Sequence, residues 1–134
     1  FVFIAMTMLF SAVFLIAAFL SDTWKIVLLL YVIPAATANV YLAPTLSLTQ
    51  SLVPLRMRAV ASALVLLIIN VIGLGIGPWF AGALSDYFEP QFANESMRYS
   101  LCAISAVALP WAAWHFYRAG VHIDADLARA ADND

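Results

Sequence analysis

Charge is what this sequence has least of. Only 10% of its 134 residues are Asp, Glu, Lys or Arg, against roughly 25% in an average soluble domain. The few charges are bunched, so residues 1–21, 26–55, 59–85 and 99–114 contain none. A soluble core built from such stretches is a poor reading, because core helices are usually much shorter.

Other scarcities exclude particular chemistries. Cys102 is the single cysteine, so no intramolecular disulfide forms, and a small core filler is its expected role. The two histidines, His115 and His122, fall at or beyond the end of the last apolar stretch. With no acid, Lys or Arg inside the apolar stretches, there is no paired-acid or base-activated nucleophile to assign there, so no enzyme, catalytic residue or cofactor is expected. No metal site is expected either: His122, Asp124 and Asp126 are metal-capable in type, but nothing fixes their geometry. A net charge of −2 offers no basic footprint for nucleic acid.

What the sequence has in abundance is apolar length. A helix crossing a hydrocarbon core of ~30 Å needs about 20 mostly apolar residues. The stretches therefore predict an all-α polytopic membrane protein with four transmembrane helices near residues 1–20, 25–49, 58–85 and 98–117. Together they make a membrane domain over 1–119, followed by a polar, acid-rich tail over 120–134. The connections "SDTW", "QSLVPLRMR" and "DYFEPQFANESMR" are short, which favours antiparallel neighbours. Arg56, Arg58, Arg118 and Arg129 collect on one side and Lys25 and Arg98 on the other, which puts the second connection and the C-terminus in the cytoplasm. Trp24, Trp79, Trp111 and Trp114 suit interfacial belts. The opening "FVFIAMTMLF" has neither an initiator methionine nor a basic leader, so the chain is expected to begin inside a longer protein. An N-x-S sequon at Asn94 lies on the predicted outer side and matters only in a secretory eukaryote.

Four of the five glycines fall in "NVIGLGIGPWFAGALSD", residues 70–86. Their spacing matches neither dinucleotide nor Walker phosphate loops, and the segment lies where backbone hydrogen bonds must stay internal. As a helix it places Asn70, Gly73 and Gly77 on one face, with Gly73 and Gly77 as a small-x-x-x-small pair for close helix approach. Pro78 cannot donate to the Leu74 carbonyl, so a kink or local unwinding is expected at that level. In the second helix Thr37, Tyr41, Thr45 and Thr49 form a polar stripe, interrupted by Pro34 and Pro44. Threonine commonly bonds back to its own helix, whereas Tyr41 and Thr45 near mid-helix suit the wall of a solvated cavity.

From Tyr41 to Asp86, "YLAPTLSLTQSLVPLRMRAVASALVLLIINVIGLGIGPWFAGALSD" resembles the C-terminal half of a major facilitator superfamily transporter, in particular its spinster-like branch. The resemblance is carried by Pro44 with Gln50, the "LVP" of 52–54, the "RAVASA" from Arg58, and then Asn70, Gly73, Gly77, Pro78, Gly82 and Asp86. It implies that the four helices are the ninth to twelfth of a twelve-helix transporter of the bacterial inner membrane. The missing N-terminal helices would belong to the same chain, which would be a monomer when full length.

The resemblance further implies alternating access for a small organic or lipid-like solute, with proton coupling left open. Thr37, Tyr41, Thr45 and Asn70 become substrate-pathway candidates. Gly73, Gly77, Pro78 and Gly82 become packing and conformational-change candidates, and Arg56 and Arg58 cytoplasmic-gate candidates facing acids of the other half. Asp86 is expected at an interface, paired with Arg98 across the short connection. The competing expectation is a self-contained four-helix protein acting as an oligomeric channel or a scaffold subunit.

Overall fold

A computed structural model describes residues 1–131, and these are helical almost throughout. The helices are α1 (Val2–Leu20), α2 (Trp24–Thr37), α3 (Leu42–Ser51), α4 (Arg58–Asn70), α5 (Gly77–Phe92) and α6 (Ser96–Ala131). Short 3₁₀ turns, Leu55–Met57 and Ala93–Glu95, join α3 to α4 and α5 to α6, and a π-helical segment, Val71–Ile76, joins α4 to α5.

The expected count of spans is corrected. Among the described residues three helical stretches, not four, are long and apolar enough to cross a bilayer, two of them taken through short turns: Val2–Leu20, Trp24–Ser51 and Leu55–Ile123. The third and fourth expected helices form one run because only the three-residue 3₁₀ turn Ala93–Glu95 lies between α5 and α6. Ala93 absorbs the change of direction with a positive φ of 46°, uncommon outside glycine. Beyond it the chain doubles back, as the pairing of Ser85 with Ser96 and of Ala81 with Ser100 shows. The final helix also continues past residue 117, taking in residues 120–131 of the expected polar tail.

The second stretch, expected as one helix, is interrupted at residues 38–41 between α2 and α3. Pro44 supplies the reason: it has no N–H for the Val40 carbonyl and its ring would collide with it, so the helix restarts with Pro44 in its first turn. Bonds of the tighter kind, from Val40 N–H to the Thr37 carbonyl and from Leu42 N–H to Asn39, each 3.1 Å, carry the chain across.

Pro78 has the parallel effect in the third stretch. The expected unwinding takes the form of the π segment, in which Gly77 N–H reaches the Ile72 carbonyl five residues back. A π turn takes more than four residues, so the α-helical alignment of Gly73 with Gly77 is loosened.

Packing uses small side chains. α1 lies antiparallel to α2 and α6, α6 against α5, and α3 against α4. Among the described residues the buried ones are Ile4, Ala5, Ala12, Ala18, Pro34 and Ala113, with Ser11, Ser85, Ser100 and Ser105. Small residues let membrane helices approach closely, where hydrophobic burial alone supplies no drive. The register of α1 on α6, set by Phe1 against Phe116 at one end and Phe19 with Arg98 at the other, puts Ala5 level with Ala113. The serines add polar stitches: Ser100 donates to the Ala81 carbonyl at 2.9 Å, and Ser85 and Ser96 share a bond of 3.0 Å.

A candidate solute cleft at the helix break

The interruption between α2 and α3 falls close to the middle of Trp24–Ser51. Facing it from α1 are Thr7 and Ser11, and the resulting cleft of about 290 Å³ is also lined by Tyr31, Pro34, Thr37 and Tyr41. Its walls are mostly apolar with a few hydroxyls, the mixture typical of a small-molecule site.

The hydroxyls are arranged in a short relay. Thr37 Oγ1 donates to the Ile33 carbonyl at 2.9 Å, as a threonine in a helix commonly does, and lies 2.6 Å from Ser11 Oγ. With the Thr37 proton committed to its own helix, Ser11 is the donor across the interface. Thr7 Oγ1 donates to the Ile4 carbonyl at 2.8 Å. No hydrogen bond among the described residues engages the phenol of Tyr31 or Tyr41, and these are the hydroxyls free to meet a solute.

The expected pathway residues divide. Thr37 and Tyr41 line this cleft. Thr45 lies one turn further along, in an adjoining cavity with Tyr41, Met8, Ile68 and Phe116. Its Oγ1 donates to the Tyr41 carbonyl at 2.7 Å, and Thr49 repeats the bond to Thr45 at 2.8 Å, so the stripe is locally satisfied. Asn70 is not brought to them: it is exposed, and its amide donates to the Leu66 carbonyl of its own helix at 2.7 Å. Ser11 and Thr7 escape sequence reasoning, although as the two hydroxyls four residues apart in α1 they were visible as a face.

The glycine face is uncovered among the described residues. A Cβ added at Gly73 or Gly82 meets nothing within 4 Å, and at Gly77 only the Ile72 carbonyl of its own turn, 3.5 Å away. Pro78 is exposed beside it.

Arg56 lies in the 3₁₀ turn before α4 and Arg58 opens that helix. Neither forms an ion pair among the described residues, and Arg58 Nε is buried without a hydrogen-bond partner. Two cations beside the positive end of a helix dipole repel that dipole, so the corner calls for an anionic partner.

At the opposite end of the bundle Arg98 ties two helices together. Arg98 Nη2 reaches Asp22 at 2.9 Å and Nη1 reaches Glu95 at 3.1 Å, while Nε donates to the Phe19 carbonyl. This corrects the expected partner: Asp86 is exposed, whereas Asp22 lies next to Arg98 because α1 ends where α6 begins. The side chains of Asp124, Asp126 and Arg129, which entered the metal and orientation expectations, lie outside the described residues.

Comparison with known protein families, curated proteins and solved structures yields no match to this chain.

Proposed function

We propose that this chain is the C-terminal third of a secondary active transporter of the major facilitator type, spinster-like, moving a small organic or lipid-like solute by alternating access. The observation that carries the reading is the cleft at the mid-span break of Trp24–Ser51. Discontinuous helices near the bilayer midplane are where secondary transporters build their solute sites, because unwound backbone there lines a cavity rather than lipid.

Two further features fit. The uncovered face at Gly73, Gly77 and Gly82 is available to helices of the other half, and the π segment beside Pro78 gives that helix a place to bend. The unmet donor of Arg58 would be answered by an acid of the missing half, closing a cytoplasmic gate. On this reading the protein is not an enzyme, resides in a bacterial inner membrane with its C-terminus inside, and acts as a monomer. Any coupling proton would be carried by an acid elsewhere, since the apolar stretches 1–21, 26–55, 59–85 and 99–114 hold none.

The test is a solute screen on the protein expressed from its whole reading frame. A solute that raises the melting temperature of the wild type, but not of Tyr41→Ala or Thr37→Val, is then offered to proteoliposomes. Uptake lost in both variants supports the reading. Channel-like conductance from oligomers of the 134 residues alone, with no saturable uptake, overturns it.

A further inference from the structure

We infer that the α1/α6 groove is a binding site for one anionic phospholipid, with an acyl chain in the groove and the headgroup phosphate on Arg118. The inference rests only on these helices lying in a bilayer and stands apart from the transporter reading.

The groove follows from the packing. Ala5 and Ala113 are buried at the same level, so the two helices approach closely and leave a trough beside them. Met6 and Leu9 from α1 and Trp114 and Tyr117 from α6 wall a cavity of about 330 Å³. All four walls are exposed large side chains, so in a bilayer the trough is filled by hydrocarbon. An apolar trough alone would take any lipid; what discriminates is the charge at its end.

Arg118 follows Tyr117 directly, and its guanidinium lies 5.6 Å from the centroid of the Trp114 ring. The contact holds the cation beside Trp114, one wall of the groove, because a guanidinium is drawn to an indole face. Arg118 is exposed and pairs with no carboxylate among the described residues. Trp114 and Tyr117 sit at the end of the apolar run, where aromatic side chains mark the headgroup level. A cation at that depth, beside a filled acyl trough, is attracted to a headgroup of net negative charge, whereas in phosphatidylcholine the choline's positive charge offsets that of the phosphate.

The test uses the full chain in nanodiscs, with Trp24, Trp79 and Trp111 replaced by Phe so that Trp114 alone reports. Brominated phosphatidylglycerol is expected to quench Trp114 at about one-fifth the mole fraction that brominated phosphatidylcholine requires, the effect of one interfacial arginine. Arg118→Gln should bring the two curves together, while Arg118→Lys and Arg56→Gln leave them apart. Coincident curves in the parent protein, or a preference that survives Arg118→Gln, overturn the site. Native mass spectrometry of the chain with all four tryptophans supplies the second measurement: retained phosphatidylglycerol should be lost in Arg118→Gln and kept in Arg56→Gln, and equal retention in both overturns it.

Discussion

Ser11 of α1 and Thr37, the last residue of α2, are 2.6 Å apart through their hydroxyls and form the one side-chain hydrogen bond across the α1/α2 interface among the described residues. Because Thr37 also donates to the Ile33 carbonyl, the bond ties α1 to the helix just before its break. Hydrogen bonds between membrane helices are worth about 0.6 kcal/mol on average, since the unfolded chain in the membrane also finds partners. A double-mutant cycle of Ser11→Ala and Thr37→Val is therefore expected to give a coupling of about 0.6 kcal/mol. Unfolding in mixed micelles measures it, and strictly additive variants would remove the bond from the account.

Replacing Pro78 by Ala returns an N–H to the position where the Leu74 carbonyl waits. The i to i+5 pattern over Val71–Ile76 should then relax to α-helical, since the clash that displaced it is gone. Hydrogen–deuterium exchange is expected to slow across residues 71–78 of Pro78→Ala. If transport uses this weak point, uptake falls in the same variant while expression holds. Unchanged exchange would mean that the glycines, and not the proline, set the π geometry.

The arginine at the opposite end makes a prediction of a different kind. Arg98 joins the end of α1 to the start of α6 through Asp22, Glu95 and the Phe19 carbonyl, so Arg98→Gln should lower the melting temperature. Arg98→Lys should recover part of the loss at low salt only, because a single ammonium cannot reproduce the fork and its remaining attraction is screened. Asp86→Asn should leave the melting temperature where it was, as Asp86 forms no ion pair among the described residues. A larger loss in Asp86→Asn than in Arg98→Gln would restore the pairing read from the sequence.

These residues also show how far the sequence reaches. The apolar stretches announce membrane-length helices because hydrophobic length is a local property. The weak points are equally local: proline removes a donor at a known position, and both Pro44 and Pro78 act within one turn of where the sequence places their effect. The span count differs because only a three-residue 3₁₀ turn parts α5 from α6, and no local pattern tells so short a reversal from a longer loop. Arg98 found Asp22 instead of Asp86 because partners 76 residues apart are chosen by the antiparallel α1/α6 contact, which no local pattern encodes. Thr37 and Tyr41 were legible as a polar stripe, whereas Ser11 and Thr7 acquire meaning only once α1 is laid against them.

The glycine face separates a structural from a dynamic role for α4 and α5. A Cβ at Gly73 meets nothing within 4 Å, so within this chain Gly73→Ala should be stabilising, by roughly 0.5–1 kcal/mol, through the backbone entropy that glycine loses on folding. In the protein expressed from its whole reading frame the same methyl would stand between this helix and the helices proposed to cover it. Small residues at such contacts set the distance of approach, so Gly73→Ala should reduce uptake and Gly73→Leu abolish it, with expression and fold retained. Melting curves of the 134-residue chain and uptake by the whole protein are the paired measurements. A gain in stability together with undiminished uptake in Gly73→Leu would leave the face open to lipid, and the interface between transporter halves would have to lie elsewhere.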